Sequence, residues 1–397
     1  MDGRRCHALN ADNGNKRKIL FVNDEMAMGG VARVLNTLMA NLDQRKYQID
    51  LLVLHKTGSL LQDIPEGVRV LEGTSFFSAV DSPLKELIRK KEWRLLFSKL
   101  RLLFYMKTGL ICLKIGRERK KMLKEEYDVE LAAKEGFCTI FTAYGNSKRK
   151  VNWVLTDYSV CNYSSNHMNL VKCALSHIDL NIADSAEACE AYKQVFGIDN
   201  VITIHNLMDT SKVDLGKNKT EDRDDIDPQK LNIISVIRFH PQKAADRLLL
   251  AHQFVMQQGI EHELYLIGGG EQEEMLLKMK QDLHLDHVHF LGYRNNPYAD
   301  IAVCDLFVLP SLYEGFATVI NESFIAGTPV LSTKVAGVYE QITEPHFGWI
   351  CENSQQGLNQ GLLTALQSKQ KLQEMKQKLQ DYHYPNEEIL HQFTEVL

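Results

Sequence analysis

The sequence predicts an α/β protein built from two Rossmann-like, doubly wound parallel sheets that face one another across a cleft. Three observations predict it. Short apolar runs of buried-strand type alternate with helical stretches through residues 18–208. A polar segment then interrupts the pattern, and the same alternation restarts at Leu231. At 397 residues the chain exceeds what one hydrophobic core ordinarily organises, so two domains are expected.

The elements follow in order. Residues 1–17, MDGRRCHALNADNGNKR, are polar, lack an apolar centre and read as a disordered lead-in, not a signal peptide. KILFV (Lys18–Val22) is the first strand, followed by Gly29, Gly30 and a helical pattern over Val31–Leu42. Further strands are expected at Gln48–Leu54, Asp128–Ala133, Val151–Leu155, Asp179–Ala183 and Val201–His205, completing a first domain over 18–208. The stretch Lys217–Lys230 is rich in charge and has no apolar cluster, which places a solvated linker over 209–230. Strands at Leu231–Ile237, Glu263–Gly268, Val288–Gly292, Asp305–Pro310 and Pro329–Thr333 then build a second domain over 231–380. The last helix, within 381–397, follows the completed second sheet and is expected to cross back to the first domain.

Composition narrows the function. A formal net charge of −5 argues against a general nucleic-acid partner. The eight cysteines form no C-x-x-C pair and do not cluster with histidines, so neither a zinc site nor a disulfide framework is expected, and a reducing cytosol fits. No apolar run reaches 18 residues, so no spanning helix is expected. There is no G-x-S-x-G elbow, and GGGEQE at Gly268–Glu273 is not the dinucleotide fingerprint.

The chemistry concentrates in PSLYEGFATVINESFIAGTPVLS, Pro310–Ser332. A strand delivers the chain to a turn at Glu314–Gly315. A helix is expected to start near Phe316–Thr318 and to stop at Gly327. Its first turn offers unpaired N–H groups and the positive end of the dipole, a ready site for a diphosphate. Gly315 lets the backbone approach a ligand closely. Two glutamates eight apart are in themselves ordinary surface residues; the setting of strand, turn, helix and Gly-Thr-Pro gives them meaning.

That setting resembles the E-x7-E segment of the family 4 glycosyltransferases of the GT-B fold. The likeness covers nearly the whole chain: GGVARVL (Gly29–Leu35), HNLMD (His205–Asp209), SVIRFHPQKAADRLLLA (Ser235–Ala251), LIGGGEQEEML (Leu266–Leu276) and Val288–Ser311 fit in the family's order. The resemblance implies a transferase that moves a hexosyl-type sugar from a nucleotide sugar with retention of configuration, and no required metal or other cofactor. Uridine is the expected base. Arg238 and Lys243 would hold the donor diphosphate, whose charge grows as it leaves. The N–H groups of Ala317, Thr318 and Val319 would complete the cradle, with Gly315 and Phe316 beside the donor. Glu314 would contact the donor sugar and Glu322 the ribose, while Gly29 and Gly30 would let the first domain close over the phosphate. The acceptor implied is a glycan or a lipid-linked glycan, as in bacterial surface-polysaccharide assembly. A sugar-nucleotide epimerase of the same fold and a non-catalytic nucleotide-sugar-binding protein are the alternatives.

Three departures stand out. Ala244 follows Lys243 where the family usually has glycine, a minor change unless that site needs φ > 0. Ala32 stands where many relatives have Glu. In VNWVLTDYS, Leu155 replaces a family histidine, leaving Asp157 either to orient an acceptor hydroxyl or to cap a following helix.

Finally, Lys85–Lys124 carries fourteen Lys or Arg against three Glu and no Asp, an excess of eleven positive charges; the remainder of the chain is therefore −16, since the total is −5. Apolar residues including Trp93, Phe97 and Phe104 are interleaved at helical spacing. They read either as one face of the first domain's core or as an interfacial helix on an anionic membrane. The second reading predicts a peripheral enzyme on the inner face of the cytoplasmic membrane.

Overall fold

The computed structural model describes residues 16–27, 29–80, 82–161, 163–219, 226–342 and 347–397. The expected lead-in lies outside the described residues up to position 15, and Arg17 already belongs to the first strand. The first sheet contains β1 (Arg17–Asn23), β2 (Tyr47–Val53), β3 (Arg69–Glu72), β4 (Val129–Ala132), β5 (Arg149–Val154), β6 (Leu180–Ala183) and β7 (Val201–Thr203). All pair in parallel, in the order β3-β2-β1-β4-β5-β6-β7. Its helices are α1 (Gly30–Asn41), α2 (Leu84–Arg89), α3 (Trp93–Lys107), α4 (Ile111–Met122), α5 (Phe137–Ala143), α6 (Ser165–Leu175) and α7 (Ala186–Phe196). Then come α8 (Thr210–Lys217) and the second sheet: β8 (Asn232–Val236), β9 (Glu263–Ile267), β10 (Val288–Gly292), β11 (Leu306–Leu309), β12 (Val330–Thr333) and β13 (Gly348–Cys351), in the order β10-β9-β8-β11-β12-β13. Its helices are α9 (Ala245–Gln257), α10 (Glu273–Asp282), α11 (Tyr298–Val303), α12 (Thr318–Ala326), α13 (Val338–Gln341), α14 (Gln355–Gln367) and α15 (Lys369–Leu379); α16 (Asn386–Val396) ends the chain.

Burial explains which strands were legible. A parallel sheet covered on both faces leaves no solvent-facing side, so β4, β9 and β11 are buried along their whole length. The two strands the sequence did not reveal, β3 and β13, are edge strands with few buried residues, and an edge carries little apolar demand. In each sheet the winding reverses at the centre, between β1 and β4 and between β8 and β11. Ligands bind beyond the carboxyl ends of strands at such points.

The connection differs from the expected linker. Residues 210–217 form α8, which docks on the second domain: Val213 is buried in that core, Lys217 Nζ donates to Ile325 O (2.9 Å) and Asn296 Nδ2 donates to Gly216 O (3.1 Å). Ile226 joins the same core, while 220–225 lie outside the described residues. Two apolar side chains on a charged background were enough to anchor a segment that composition alone marks as solvated. The C-terminal helix does cross back. Phe393 packs on Trp153 with ring centroids 5.0 Å apart, and Ile389, Val396 and Leu397 complete that first-domain cluster. Tyr384 Oη donates to Asn206 O (2.7 Å), and the Asn386 side chain both accepts from Met208 N–H (3.0 Å) and donates to Met208 O (2.8 Å), pinning the crossover to the junction.

The basic segment forms three helices, not one. The chain breaks at Lys91, with φ +56, and at Gly109, with φ +71. Its apolar residues divide between two destinations. Leu87, Leu102, Ile111 and Ile115 are buried, all but Leu87 within the first-domain core cluster. Trp93, Phe97, Leu100 and Phe104, spaced four, three and four apart along one face of α3, are each more than half exposed. No helix among the described residues is long and apolar enough to cross a membrane.

One buried pair sets a pH limit. His252 Nδ1 lies 2.8 Å from His262 Nε2, and His262 Nδ1 donates to Ile260 O (2.9 Å). Both imidazoles are almost fully buried. Burial, reinforced by the neighbouring His262 charge, pushes His252 down to about 3; burial likewise lowers His262, with His287 adding to it and Glu263 opposing. A base depressed in the folded state contributes stability that is full above the unfolded value near 6.5 and lost as pH falls below it. Each group costs up to about 1.4 kcal/mol per pH unit in that window. Thermal unfolding is therefore expected to drop between pH 7.5 and 5.5, and His252→Gln to flatten that slope. An unchanged slope in the variant would contradict the assignment.

Candidate active site

The site is assembled from two turns of the second domain. After β8, His240 Nδ1 accepts from Gln242 N–H (3.2 Å) and starts a single 3₁₀ turn, Pro241–Lys243. After β11, the chain runs through Pro310 to Ala317 before α12 begins. Gln242 stitches the two turns together: its carbonyl accepts from Leu312 N–H (2.8 Å) and its Nε2 donates to Tyr313 O (2.9 Å). Lys243 Nζ consequently meets Glu314 Oε1 at 2.5 Å, and Ser311 Oγ donates to the same oxygen at 2.6 Å. Glu314 is buried, and a buried carboxylate requires such partners.

The start of α12 carries no side-chain cap, so no side chain consumes its first N–H groups, at Thr318 and Val319. Ala317 is the N-cap, and Gly327 ends the helix in the left-handed region, φ +90. Arg238 stands exposed after β8. It and Lys243 flank His240: burial first, then the Arg238 and Lys243 charges, hold that imidazole below its ordinary range. His240 and Ser311 are site residues the sequence reading passed over. The S-x-x-E spacing was the available signal for Ser311.

Glu322 lies apart from this group. It lines a pocket of about 460 Å³ between the domains, together with Thr318 and Tyr298 from the second domain, Arg33 and Asn36 from α1, and Lys212. Burial raises the Glu322 carboxyl, while the Arg33 and Lys212 charges and a Tyr298 hydrogen bond pull it down. Glu314, Arg238 and Lys243 do not line this pocket; the first turn of α12 lies between the two glutamates. The first-domain contribution of Arg33 and Asn36 was not foreseen, because only folding brings α1 opposite α12.

The structure bears on four further expectations. Gly315 was expected to admit a ligand. In the structure its close neighbour is the other domain: a Cβ there would sit 2.5 Å from Leu155 O and 3.0 Å from Asp184 Oδ1. Gly29 and Gly30 are exposed with open space where a Cβ would stand, and Gly29 is extended, so nothing in the protein itself demands glycine at either position. Asp157 does not cap a helix. Its Oδ1 accepts from Ser159 N–H (2.8 Å) and Oγ (2.6 Å), while α6 is capped by Ser164. Finally, Ala244 does need φ > 0: it sits at φ +48, ψ +45. A left-handed residue with a Cβ costs about 1–2 kcal/mol. Ala244→Gly should therefore hold or raise the melting temperature, and Ala244→Val should lower it; a Gly variant clearly less stable than the parent would contradict the strain.

Comparison with known proteins finds both sequence and fold relatives. The family model "Glycosyl transferases group 1" matches residues 217–382. The chain is 25% identical over 354 residues to N-acetylgalactosamine-N,N'-diacetylbacillosaminyl-diphospho-undecaprenol 4-alpha-N-acetylgalactosaminyltransferase of Campylobacter jejuni, covering 86% of this chain and 88% of that protein. It is 26% identical over 201 residues to N-acetyl-alpha-D-glucosaminyl L-malate synthase of Bacillus anthracis, covering 50% of this chain and 52% of that protein. Among solved structures, Anabaena Alr3699/HepE in complex with UDP-glucose superposes with a TM-score of 0.69 at 20% identity, over 95% of this chain and 98% of that one. Residues 217–382 are thus similar to the glycosyl transferases group 1, and the whole chain shares the two-domain GT-B fold of the solved glycosyltransferases.

Proposed function

We propose that the protein transfers a hexosyl residue from a UDP-sugar to a glycan or lipid-linked acceptor, with retention of anomeric configuration, in bacterial surface-polysaccharide assembly. The observation that carries the reading is the Lys243–Glu314–Ser311 cluster beside the uncapped first turn of α12. A cation and free N–H groups there suit a leaving diphosphate, and the adjacent carboxylate suits the sugar that departs from it. UDP-glucose bound in the HepE structure supports the donor class, and the diphospho-undecaprenol in the Campylobacter enzyme's name supports a lipid-linked acceptor.

In the proposed step the bond from the anomeric carbon to the β-phosphate oxygen breaks while the acceptor oxygen bonds to that carbon on the same face. The acceptor proton passes to a β-phosphate oxygen, so UDP leaves and no electrons are exchanged. Lys243 and Arg238 would neutralise the growing charge. Glu314, held by Lys243 and Ser311, would orient the sugar, and Glu322 would accept from the ribose hydroxyls. Asp157, engaged in its own turn, would keep only its second carboxylate oxygen for an acceptor hydroxyl.

We also propose that the enzyme works as a peripheral protein on the inner face of the cytoplasmic membrane, docked through α3. The exposed stripe of Trp93, Phe97, Leu100 and Phe104 would enter the interface, with exposed Arg94, Arg101 and Lys107 on the same helix meeting anionic headgroups. Each such charge contributes about 1 kcal/mol near an anionic leaflet.

Two measurements test these readings. Incubation with a panel of UDP-, GDP- and ADP-sugars should release UDP, and the proton NMR spectrum of the product from an α-linked donor should show the α-anomer. Lys243→Ala should lower kcat/KM by about 10²-fold or more. A β-linked product contradicts retention, and near-normal turnover in the variant contradicts the site. In liposome flotation, binding should require anionic lipid, fall at high salt and drop in Phe97→Ser and Phe104→Ser. Equal flotation on neutral vesicles, or no flotation at low salt, contradicts membrane docking.

A further inference from the structure

The turn at residues 314–317 is held from outside its own strand and helix. On one side stands α13. Its N-cap, Gly337, has φ +76, and a Cβ there would lie 2.7 Å from Gly315 O and 3.3 Å from Phe316 Cα. Gln341 of α13 donates from Nε2 to Ala317 O (2.8 Å), a buried contact. The adjacent residue, Glu340, reaches the other way, into the first domain. Its Oε1 accepts from Ala186 N–H at the start of α7 (2.6 Å), and its Oε2 meets His205 Nε2 at 2.7 Å. The contact is reciprocated: Glu187 of α7 accepts from Gly337 N–H with Oε2, at 2.6 Å. His205 then returns to the turn, its ring stacked on Phe316 with centroids 5.0 Å apart and planes 20° apart.

Each carboxylate thus satisfies a backbone donor of the opposite domain. Hydrogen bonds to an ionised acceptor are stronger than neutral ones, and Glu340 also meets the positive end of the eleven-residue helix α7. The other end of each link is the turn: Gln341 next to Glu340, Phe316 under His205, Gly337 against Gly315. Separation of the domains withdraws Ala186 and His205 from Glu340 and at the same time takes the His205 ring off Phe316, while α13 stays packed on the turn.

We propose that Glu187 and Glu340 are positioning residues, forming a reciprocal interdomain clasp that α13 and His205 relay to the turn at 314–317. The inference rests on the reading of that turn as the donor site. Neither carboxylate belongs to the Lys243–Glu314–Ser311 cluster or lines the pocket at Glu322. Their work is to make donor affinity depend on the domains being closed.

The test uses the full chain with Glu187→Ala, Glu340→Ala, the double variant and Glu340→Gln, with circular dichroism to check folding. Small-angle X-ray scattering without nucleotide should give a larger radius of gyration for each alanine variant. Calorimetry with UDP should show affinity lowered about fivefold to tenfold in each, as expected for loss of a charge-assisted contact, and the double variant should match the singles within about twofold, because one opened clasp leaves nothing for the second mutation to break. Glu340→Gln keeps an oxygen for Ala186 N–H and should fall between parent and Glu340→Ala. An unchanged radius and affinity in the double variant overturns the proposal, as do losses that simply add. A parent protein that fails to bind UDP sinks the donor reading instead, and the scattering comparison still judges the clasp.

Discussion

The structure depends on the approach of Gly315 to the carbonyl of Leu155. That contact brings the carboxyl end of β11 in the second sheet against the carboxyl end of β5 in the first. Any side chain at 315 would meet a backbone oxygen at 2.5 Å, and a backbone atom cannot swing aside as a side-chain tip can. The seam is also where polar groups are buried. Asp184 is 2% exposed, its Oδ2 accepts from Asn206 Nδ2 at 3.4 Å, and its Oδ1 faces the glycine. Burial, with the Glu135 charge, raises this carboxyl well above the usual carboxylate range, which favours the neutral form in a tight seam.

Beside that seam, the electrostatics of the site are set within the second domain. Lys243 and Glu314 are brought together by the two stitched turns, so the cation is already fixed and partly desolvated before any anion arrives. Fixed charge in a screened setting acts on a developing negative charge without reorganisation at the moment of reaction. Arg238, beside His240, is the solvent-exposed counterpart. The pocket at Glu322 is two-sided, with Arg33 and Asn36 supplied by α1 of the other domain, so it too exists only while the domains face each other.

Much of this was legible in the sequence because parallel sheets demand continuous apolar strands. The central strands stood out for that reason, and Gly327 marked the end of α12 correctly. The grouping of Glu314 with Lys243 was legible only through resemblance, since 71 residues separate them and no local pattern links them. Elsewhere physics outran pattern. Edge strands β3 and β13 carry too little apolar content to show. Helix α8 needed only Val213 and a few polar ties to leave the solvated class. The reason for glycine at 315 lay in the opposite domain, 160 residues upstream, and so could not be read from its neighbours. In the basic segment, charge and periodicity foretold an amphipathic helix, but only the fold decided that Leu102 turns inward while Phe97 and Phe104 turn out.

The central claim is that the second domain binds a nucleotide sugar by its diphosphate at the start of α12. A crystal structure of the chain soaked with a UDP-sugar tests it most directly. The account predicts phosphate oxygens within about 3 Å of Lys243 Nζ and of the Thr318 N–H, with the ribose hydroxyls on Glu322. A diphosphate bound away from the first turn of α12, with the Lys243–Glu314 pair undisturbed, would contradict it.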